Sequence, residues 1–144
     1  MNLMRLFSNI PALIVNAVIT LIALTGHELG HAWVSTKLGD PTPRMEGRLT
    51  INPLAHLDIV GTILMILTGF GWAKPVGINP AYYKDRKKGT ALTAAAGPLS
   101  NLIMSFAVLL LYYMYAVIAI KTGFAIGSMA LISSLVSTFV VRNL

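Results

Sequence analysis

Long apolar segments alternate with short polar ones along the sequence, and three of them have the length of membrane-spanning helices. Residues 9–38, 90–120 and 124–141 are each predicted to form one helix, because about 20 apolar residues in helical conformation cross a bilayer. Pro11 is tolerated in the first turn of the first helix, and the Gly-Asp-Pro sequence at 39–41 is expected to end it. The pattern therefore predicts an all-α membrane protein.

Two intermediate segments depart from this pattern. Residues 57–72 are apolar except for Asp58, but a helix of this length measures about 24 Å, less than the roughly 30 Å of the hydrocarbon core. Residues 42–54 are polar and interrupted. The alternation of polar and apolar side chains over residues 48–51 predicts a short β element, with a surface turn as the alternative.

The distribution of Lys and Arg distinguishes two topologies for the short apolar segment. If residues 57–72 cross the membrane, seven basic residues lie on one side and four on the other. If the segment dips in and returns, nine lie on one side and two on the other, which the positive-inside rule favours. We therefore predict three transmembrane helices plus a re-entrant segment, with the amino terminus outside and the carboxyl terminus in the cytoplasm.

Composition supports a membrane protein and narrows the chemistry. Of the 144 residues, 56% are hydrophobic and 11% are charged, which is too apolar for a soluble domain, and residues 1–144 are predicted to form a single membrane-embedded domain. The sequence has no cysteine, so a metal would need nitrogen and oxygen ligands. We attribute the net charge of +6 to basic loops that face the cytoplasm, and we expect the lipid bilayer but no nucleic acid as a partner.

The candidate chemistry lies in the first apolar helix. His27 and His31 are four residues apart, so they share a helix face and can bind one metal ion together. Glu28 projects about 100° from His27 and can reach water at that ion, which is the zinc-hydrolase arrangement. The alternative is a pair of structural histidines. The neighbouring Gly26 and Gly30 favour the metal site, because small residues let a helix or a substrate approach closely.

A catalytic zinc site needs a third protein ligand, and the interior loops offer His56 and Asp58. We favour another interpretation of these two residues. They would orient the metal ligands without binding the ion themselves, or Asp58 would cap a helix. Asp40 and Glu46 are predicted to be solvated loop residues.

A stretch of small residues opens the second long helix. Gly97 and Asn101 share one face of this helix, because they are four residues apart. Either this face is a packing seam near the Pro98 kink, or Asn101 braces the active site.

Four motifs follow one another along the chain: GHELGHA at 26–32, GRLTINPL at 47–54 with His56 and Asp58, GWAKPV at 71–76, and AGPLSN at 96–101. Together they resemble the site-2 protease family of intramembrane zinc metalloproteases, in its small prokaryotic branch without a PDZ domain. The resemblance implies that His27 and His31 bind Zn²⁺ and that Glu28 is the catalytic base. It implies a third ligand from an aspartate in a later Asn-x-x-Pro…Leu-Asp-Gly motif. Asn143-Leu144 resembles the start of that motif, so we expect the given sequence to stop before the aspartate.

The function expected from this resemblance is hydrolysis of peptide bonds within or near transmembrane segments of substrate proteins. The protein is then expected in the plasma membrane of a prokaryote, with its active site toward the cytoplasm and His56, Asp58, Asn101 and Asn143 near the site. Two alternatives stay open: an inactive relative that binds membrane segments as an adaptor, and a metal transporter.

Overall fold

The computed structural model describes residues 10–68, 72, 74–122 and 126–143, and it is mostly helical. The helices are α1, Ile10–Lys37; α2, Thr42–Met45; α3, Ile59–Thr68; α4, Arg86–Thr122; and α5, Ile126–Asn143. Short 3₁₀ turns occur at Pro53–His56 and Pro80–Tyr82. The three long helices predicted from the sequence are confirmed within the described residues, and α4 begins four residues earlier than predicted, at Arg86 rather than at residue 90.

The first long helix ends where its sequence predicts. Lys37 lies in its last turn, where a cation interacts favourably with the helix dipole. Gly39 follows with a φ of 105°, a conformation that glycine adopts without steric cost. This turn directs the chain from α1 into the segment that contains α2.

The second long helix is the one whose length and composition fit a membrane span among the described residues. Arg86–Thr122 has 37 residues, and only 11% of its most apolar 18-residue window is buried. Asp85 caps its first turn, accepting a hydrogen bond from the Lys88 N–H at 3.0 Å. Pro98 lies inside the helix and cannot donate to the Ala94 carbonyl, which locally weakens the helical hydrogen bonding.

The short β element predicted at residues 48–51 is wrong. In the structure these residues form an irregular bend, and no strand occurs in the part of the chain that is described. The reason is Arg48, whose buried guanidinium donates a hydrogen bond to the Ala55 carbonyl and curls the segment back on itself. The alternative interpretation, a turn, is the one that the structure supports.

The segment predicted as re-entrant folds back on itself. Its helix α3 spans only Ile59–Thr68, which is about 15 Å long. Beyond it, the Trp72 backbone lies where a side chain at Gly61 would be, and the Lys74 N–H donates to the His56 carbonyl at 3.0 Å. The chain therefore returns to the end of α3 from which it started, as a re-entrant segment requires.

The chain divides into two compact units. One comprises Leu24–Asn101, and the other comprises the described residues up to Ala23 and from Leu102 onwards. The Leu24–Asn101 unit contains His27, Glu28 and His31. Within this unit, α1 and α4 approach closely at small residues. A Cβ on Gly30 would lie 2.8 Å from the Ala96 carbonyl oxygen, and Ser100 Oγ donates to the Gly26 carbonyl at 2.9 Å. The close helix contact predicted for these glycines is confirmed at Gly30.

Candidate metal centre

His27 and His31 lie on one face of α1, and their rings contact each other edge to face. The ring centroids are 4.7 Å apart and the ring planes form an angle of 80°. Both residues are half-buried. The two imidazoles can therefore offer one nitrogen each to the same ion.

Gly97 of α4 faces the Nε2 atoms of both histidines. A Cβ placed on Gly97 would lie 2.6 Å from His27 Nε2 and closer still to His31 Nε2. Two ring nitrogens thus converge on a space that any side chain at position 97 would fill. Neutral imidazole nitrogens are ordinary zinc ligands, so this cradle fits a zinc ion with respect to these two ligands.

The other ring nitrogen of His31 is held by the backbone of α4. His31 Nδ1 lies 2.6 Å from the Thr93 carbonyl oxygen. Because a carbonyl only accepts hydrogen bonds, Nδ1 carries the proton and donates it, and Nε2 keeps its lone pair. Metal-binding histidines are commonly oriented in this way, by a carbonyl at the nitrogen that does not bind the metal.

Asn101 lies at Nδ1 of His27, as the Thr93 carbonyl lies at Nδ1 of His31. Its side-chain amide lies 3.3 Å from His27 Nδ1, and its Oδ1 is buried without a hydrogen-bond partner among the described residues. A half-turn of the amide group brings Oδ1 to His27, where it accepts the Nδ1 proton and satisfies its own hydrogen bonding. His27 then also keeps the lone pair on Nε2, as a metal ligand must. The Gly97 and Asn101 face is therefore a packing seam that contacts His27, and the bracing of an active site by Asn101 stays a prediction.

Glu28 lies next to the histidines and borders a cavity. Its carboxylate accepts a hydrogen bond from the Val76 N–H at 3.2 Å. The cavity has a volume of about 320 Å³ and is lined by Glu28, His31, Pro75, Val76, Ile78, Thr90, Thr93 and Ala94. A carboxylate at the wall of such a cavity can exchange a proton with water or substrate inside it.

Sequence reasoning missed Thr93 and Val76 as contributors to this site. Both act through the backbone, Thr93 by its carbonyl and Val76 by its N–H. Every residue carries these groups, so no side-chain pattern could have indicated them. Only the packing of α4 and of the extended segment before it against α1 brings them to the motif.

The described residues do not group His56 or Asp58 with His27 and His31 as a third ligand. His56 is fully buried; its Nε2 is bonded to the Thr50 carbonyl at 3.0 Å, and its Nδ1 has no hydrogen-bond partner among the described residues. Asp58 accepts from the Gly61 N–H at 2.7 Å and caps α3, which is the role favoured from sequence. Over the described ranges, no group of three His, Cys, Asp or Glu residues could hold a metal ion. The site described here therefore has two candidate ligands.

Two further predictions concern acidic residues and Asn143. Asp40 is completely buried, so its prediction as a solvated residue is wrong, because backbone N–H groups and a hydroxyl surround its carboxylate. Glu46 is exposed, as predicted. Asn143 ends α5 in the other unit, where its amide donates to the Phe139 carbonyl at 2.8 Å, and its role near the site stays a prediction.

Comparison with known proteins identifies relatives of this chain. It is 51% identical over 90 residues to the protein named "Putative zinc metalloprotease YwhC" of Bacillus subtilis, covering 62% of this chain and 41% of that protein. It is 35% identical over 97 residues to "Putative zinc metalloprotease Rip2" of Mycolicibacterium smegmatis, covering 63% and 36%. The matched region thus spans less than half of either relative. No family profile and no solved structure matches the chain.

Proposed function

We propose that this chain, a homologue of zinc metalloproteases of the site-2 protease type, is the membrane-embedded core of a zinc metalloendopeptidase that cleaves within or near transmembrane segments. The observation that carries the proposal is the convergence of His27 Nε2 and His31 Nε2 on the space beside Gly97. Glu28 follows His27 directly and borders the adjacent cavity.

The proposed chemistry assigns a separate task to each residue. His27 and His31 would hold zinc, which when bound polarises water and the scissile carbonyl. Glu28 would accept a proton from the attacking water and transfer it to the departing amine. Its hydrogen bond from Val76 keeps the carboxylate at the cavity wall while leaving a second oxygen for this exchange.

The third ligand in this proposal is the aspartate of the Leu-Asp-Gly motif that the family resemblance implies. This proposal is compatible with the described residues, among which no group of three His, Cys, Asp or Glu residues could hold a metal ion. Two histidines and an aspartate would be three protein ligands, which would leave the fourth position of a tetrahedral zinc ion for water or substrate, as in other catalytic zinc sites.

We further propose that the protein lies in the plasma membrane of a prokaryote, with three spanning helices, one re-entrant segment and its site toward the cytoplasm. The apolar length and low burial of α4 support a membrane location. The return of the chain from α3 to His56 supports the topology that places nine basic residues on one side. A substrate helix would have to unwind locally, because its carbonyls are otherwise engaged in helical hydrogen bonds.

The test is Glu28→Gln in the complete protein, assayed for zinc content and for cleavage of tagged single-span membrane segments. Zinc content should be unchanged, and cleavage should fall by about 10²- to 10⁴-fold, the usual contribution of general acid–base catalysis. His31→Ala should lose both zinc and cleavage. Persisting cleavage by Glu28→Gln, or zinc transport into proteoliposomes by the wild type without any cleavage, would contradict the proposal.

A further inference from the structure

A row of buried hydrogen bonds leads from Asp40 to the residue that holds His31. Ser35 Oγ lies 2.7 Å from Asp40 Oδ2 and 2.8 Å from the Tyr83 hydroxyl. The Tyr83 hydroxyl lies 3.0 Å from Thr93 Oγ1. All four of these side chains are buried, and the Thr93 carbonyl is the partner of His31 Nδ1.

Asp40, the acidic residue at one end of the row, determines which group donates in each hydrogen bond. The carboxylate of Asp40 only accepts, so the Ser35 hydroxyl donates to it. Ser35 must then accept from Tyr83, because its single proton is used, and Tyr83 must accept from Thr93 for the same reason. All three hydroxyl protons thus point toward Asp40, an arrangement in which each bond polarises and strengthens the next.

Asp40 is fixed firmly enough to anchor such a row. Besides Ser35, it accepts from the backbone N–H groups of Thr42 at 2.9 Å and Asn79 at 2.8 Å. In the described part of the chain its charge is met by these donors and by no ion pair. The carboxylate therefore joins the end of α1 to the loop before α4 with little freedom to move.

The row of hydrogen bonds and His31 both contact Thr93, the row at its hydroxyl and His31 at its carbonyl. Ser35 lies four residues after His31, so both project from the same face of α1. His31 reaches the carbonyl of Thr93, and Ser35 reaches the hydroxyl of Thr93 through Tyr83. Movement of Thr93 along or around α4 would therefore break bonds at both places.

We propose that the Asp40–Ser35–Tyr83–Thr93 hydrogen-bond network, defined here as the Asp40 network, positions His31 for metal binding by fixing the Thr93 carbonyl against its ring. Tyr83 is a positioning residue in this scheme, since it contacts neither the ion nor the cavity beside Glu28. The proposal rests on the function proposed above, in that His31 binds the metal. A purely structural role for the Asp40 network would change the stability of the protein but leave His31 unchanged.

The experiment compares Tyr83→Phe with Tyr82→Phe in the complete protein. Tyr83→Phe removes one buried hydroxyl and keeps the ring, whereas Tyr82 is adjacent and exposed and serves as the matched control. Thr93→Val and Thr93→Ser form a second pair at the other end, because valine keeps the shape and loses the hydroxyl while serine keeps it. Thermal unfolding is measured for all four variants to establish that they are folded.

Two readouts report on His31 itself. The first is Co²⁺ affinity, followed by the visible absorption of the bound ion. Tyr83→Phe and Thr93→Val should lose about tenfold, the lower end of the effect of groups that support a metal ligand, and Tyr82→Phe and Thr93→Ser should stay near wild type. The second is the ¹⁵N chemical shift of His31 in metal-free protein at alkaline pH, where Tyr83→Phe should lower the share of the Nδ1–H form.

The outcomes separate this proposal from the proposed function. Wild-type protein that binds no Co²⁺ would contradict the metal site, and the ¹⁵N shifts would still decide whether the Asp40 network orients His31. Normal Co²⁺ binding and an unchanged His31 tautomer in folded Tyr83→Phe would overturn the positioning role. If Tyr83→Phe does not fold, the contrast between Thr93→Val and Thr93→Ser decides in its place.

Discussion

The amide group of Asn101 lies 3.3 Å from Nδ1 of His27, at the ring nitrogen that a metal ion would leave free. The contact joins α4 to α1 and uses the polar side chain that lies four residues after Gly97. It shows how a residue distant in sequence can set which nitrogen of His27 is available.

The first prediction tests whether Asn101 accepts the His27 proton. Asn101→Leu should lower zinc affinity by about 10- to 100-fold, because the ring loses the partner that fixes its orientation. Asn101→Asp keeps an acceptor oxygen and should bind zinc nearly as well as the wild type. Competition with a chelator measures both affinities, and an equal loss in the two variants would show that Asn101 acts as a donor instead.

The second prediction concerns the space beside Gly97. Gly97→Ala should abolish zinc binding without unfolding the protein, because the added methyl group would occupy the position between His27 Nε2 and His31 Nε2. Ala95→Val adds bulk at an exposed neighbour on the same helix and is the control, with zinc affinity expected to be unchanged. Zinc content after dialysis is the measurement. Full zinc content in Gly97→Ala would place the metal elsewhere.

The third prediction concerns the pH dependence of stability. Burial alone would raise the pKa of Asp40, but the hydrogen bonds from Asn79, Thr42 and Ser35 outweigh it and hold the pKa below its usual value. Because the folded-state pKa is lowered, the carboxylate stabilises the protein above its unfolded pKa of about 3.9, and this contribution is lost as the pH falls through the folded pKa.

Asp40→Asn should therefore lower the free energy of unfolding by about 2 kcal/mol at neutral pH, the usual contribution of a hydrogen bond to a charged group. The difference from wild type should shrink as the pH falls below about 4. Glu46→Gln is the control, since Glu46 also accepts a backbone N–H but is exposed. Denaturant unfolding at several pH values measures both, and a difference that does not change with pH would exclude the ionised carboxylate as its cause.

The fourth prediction distinguishes capping from metal binding at Asp58. Asp58→Ala should cost about 1 kcal/mol of stability, because α3 loses its side-chain cap. Zinc affinity should be unchanged, and Asp58→Asn should restore the stability, since asparagine also caps helices. Thermal unfolding and zinc titration of the two variants provide the measurements. Complete loss of zinc binding in Asp58→Ala would mean that Asp58 is a ligand, since a group that only supports a ligand changes the affinity by about 10- to 100-fold.

Several features of the fold and the site could be predicted because they depend on local sequence. The long helices follow from uninterrupted apolar segments, and the shared face of His27 and His31 follows from helical periodicity alone. The capping role of Asp58 is equally local, because it requires only a carboxylate immediately before a helix. The prediction of a short strand at 48–51 failed for the opposite reason, since the described residues offer it no partner strand and Arg48 turns inward to the Ala55 carbonyl.

The amino-acid sequence by itself determined where helices form, which residues supply nitrogen and carboxylate groups to the candidate site, and that α1 carries both histidines on one side. The tertiary structure alone decided which ring nitrogen each histidine presents, that Asp40 is buried, and that Gly97 faces the site. The physical reason is that helix formation and side-chain spacing are set by neighbours in the chain. Hydrogen bonds to the Thr93 carbonyl and the Asn101 amide instead depend on how two helices far apart in sequence pack against each other.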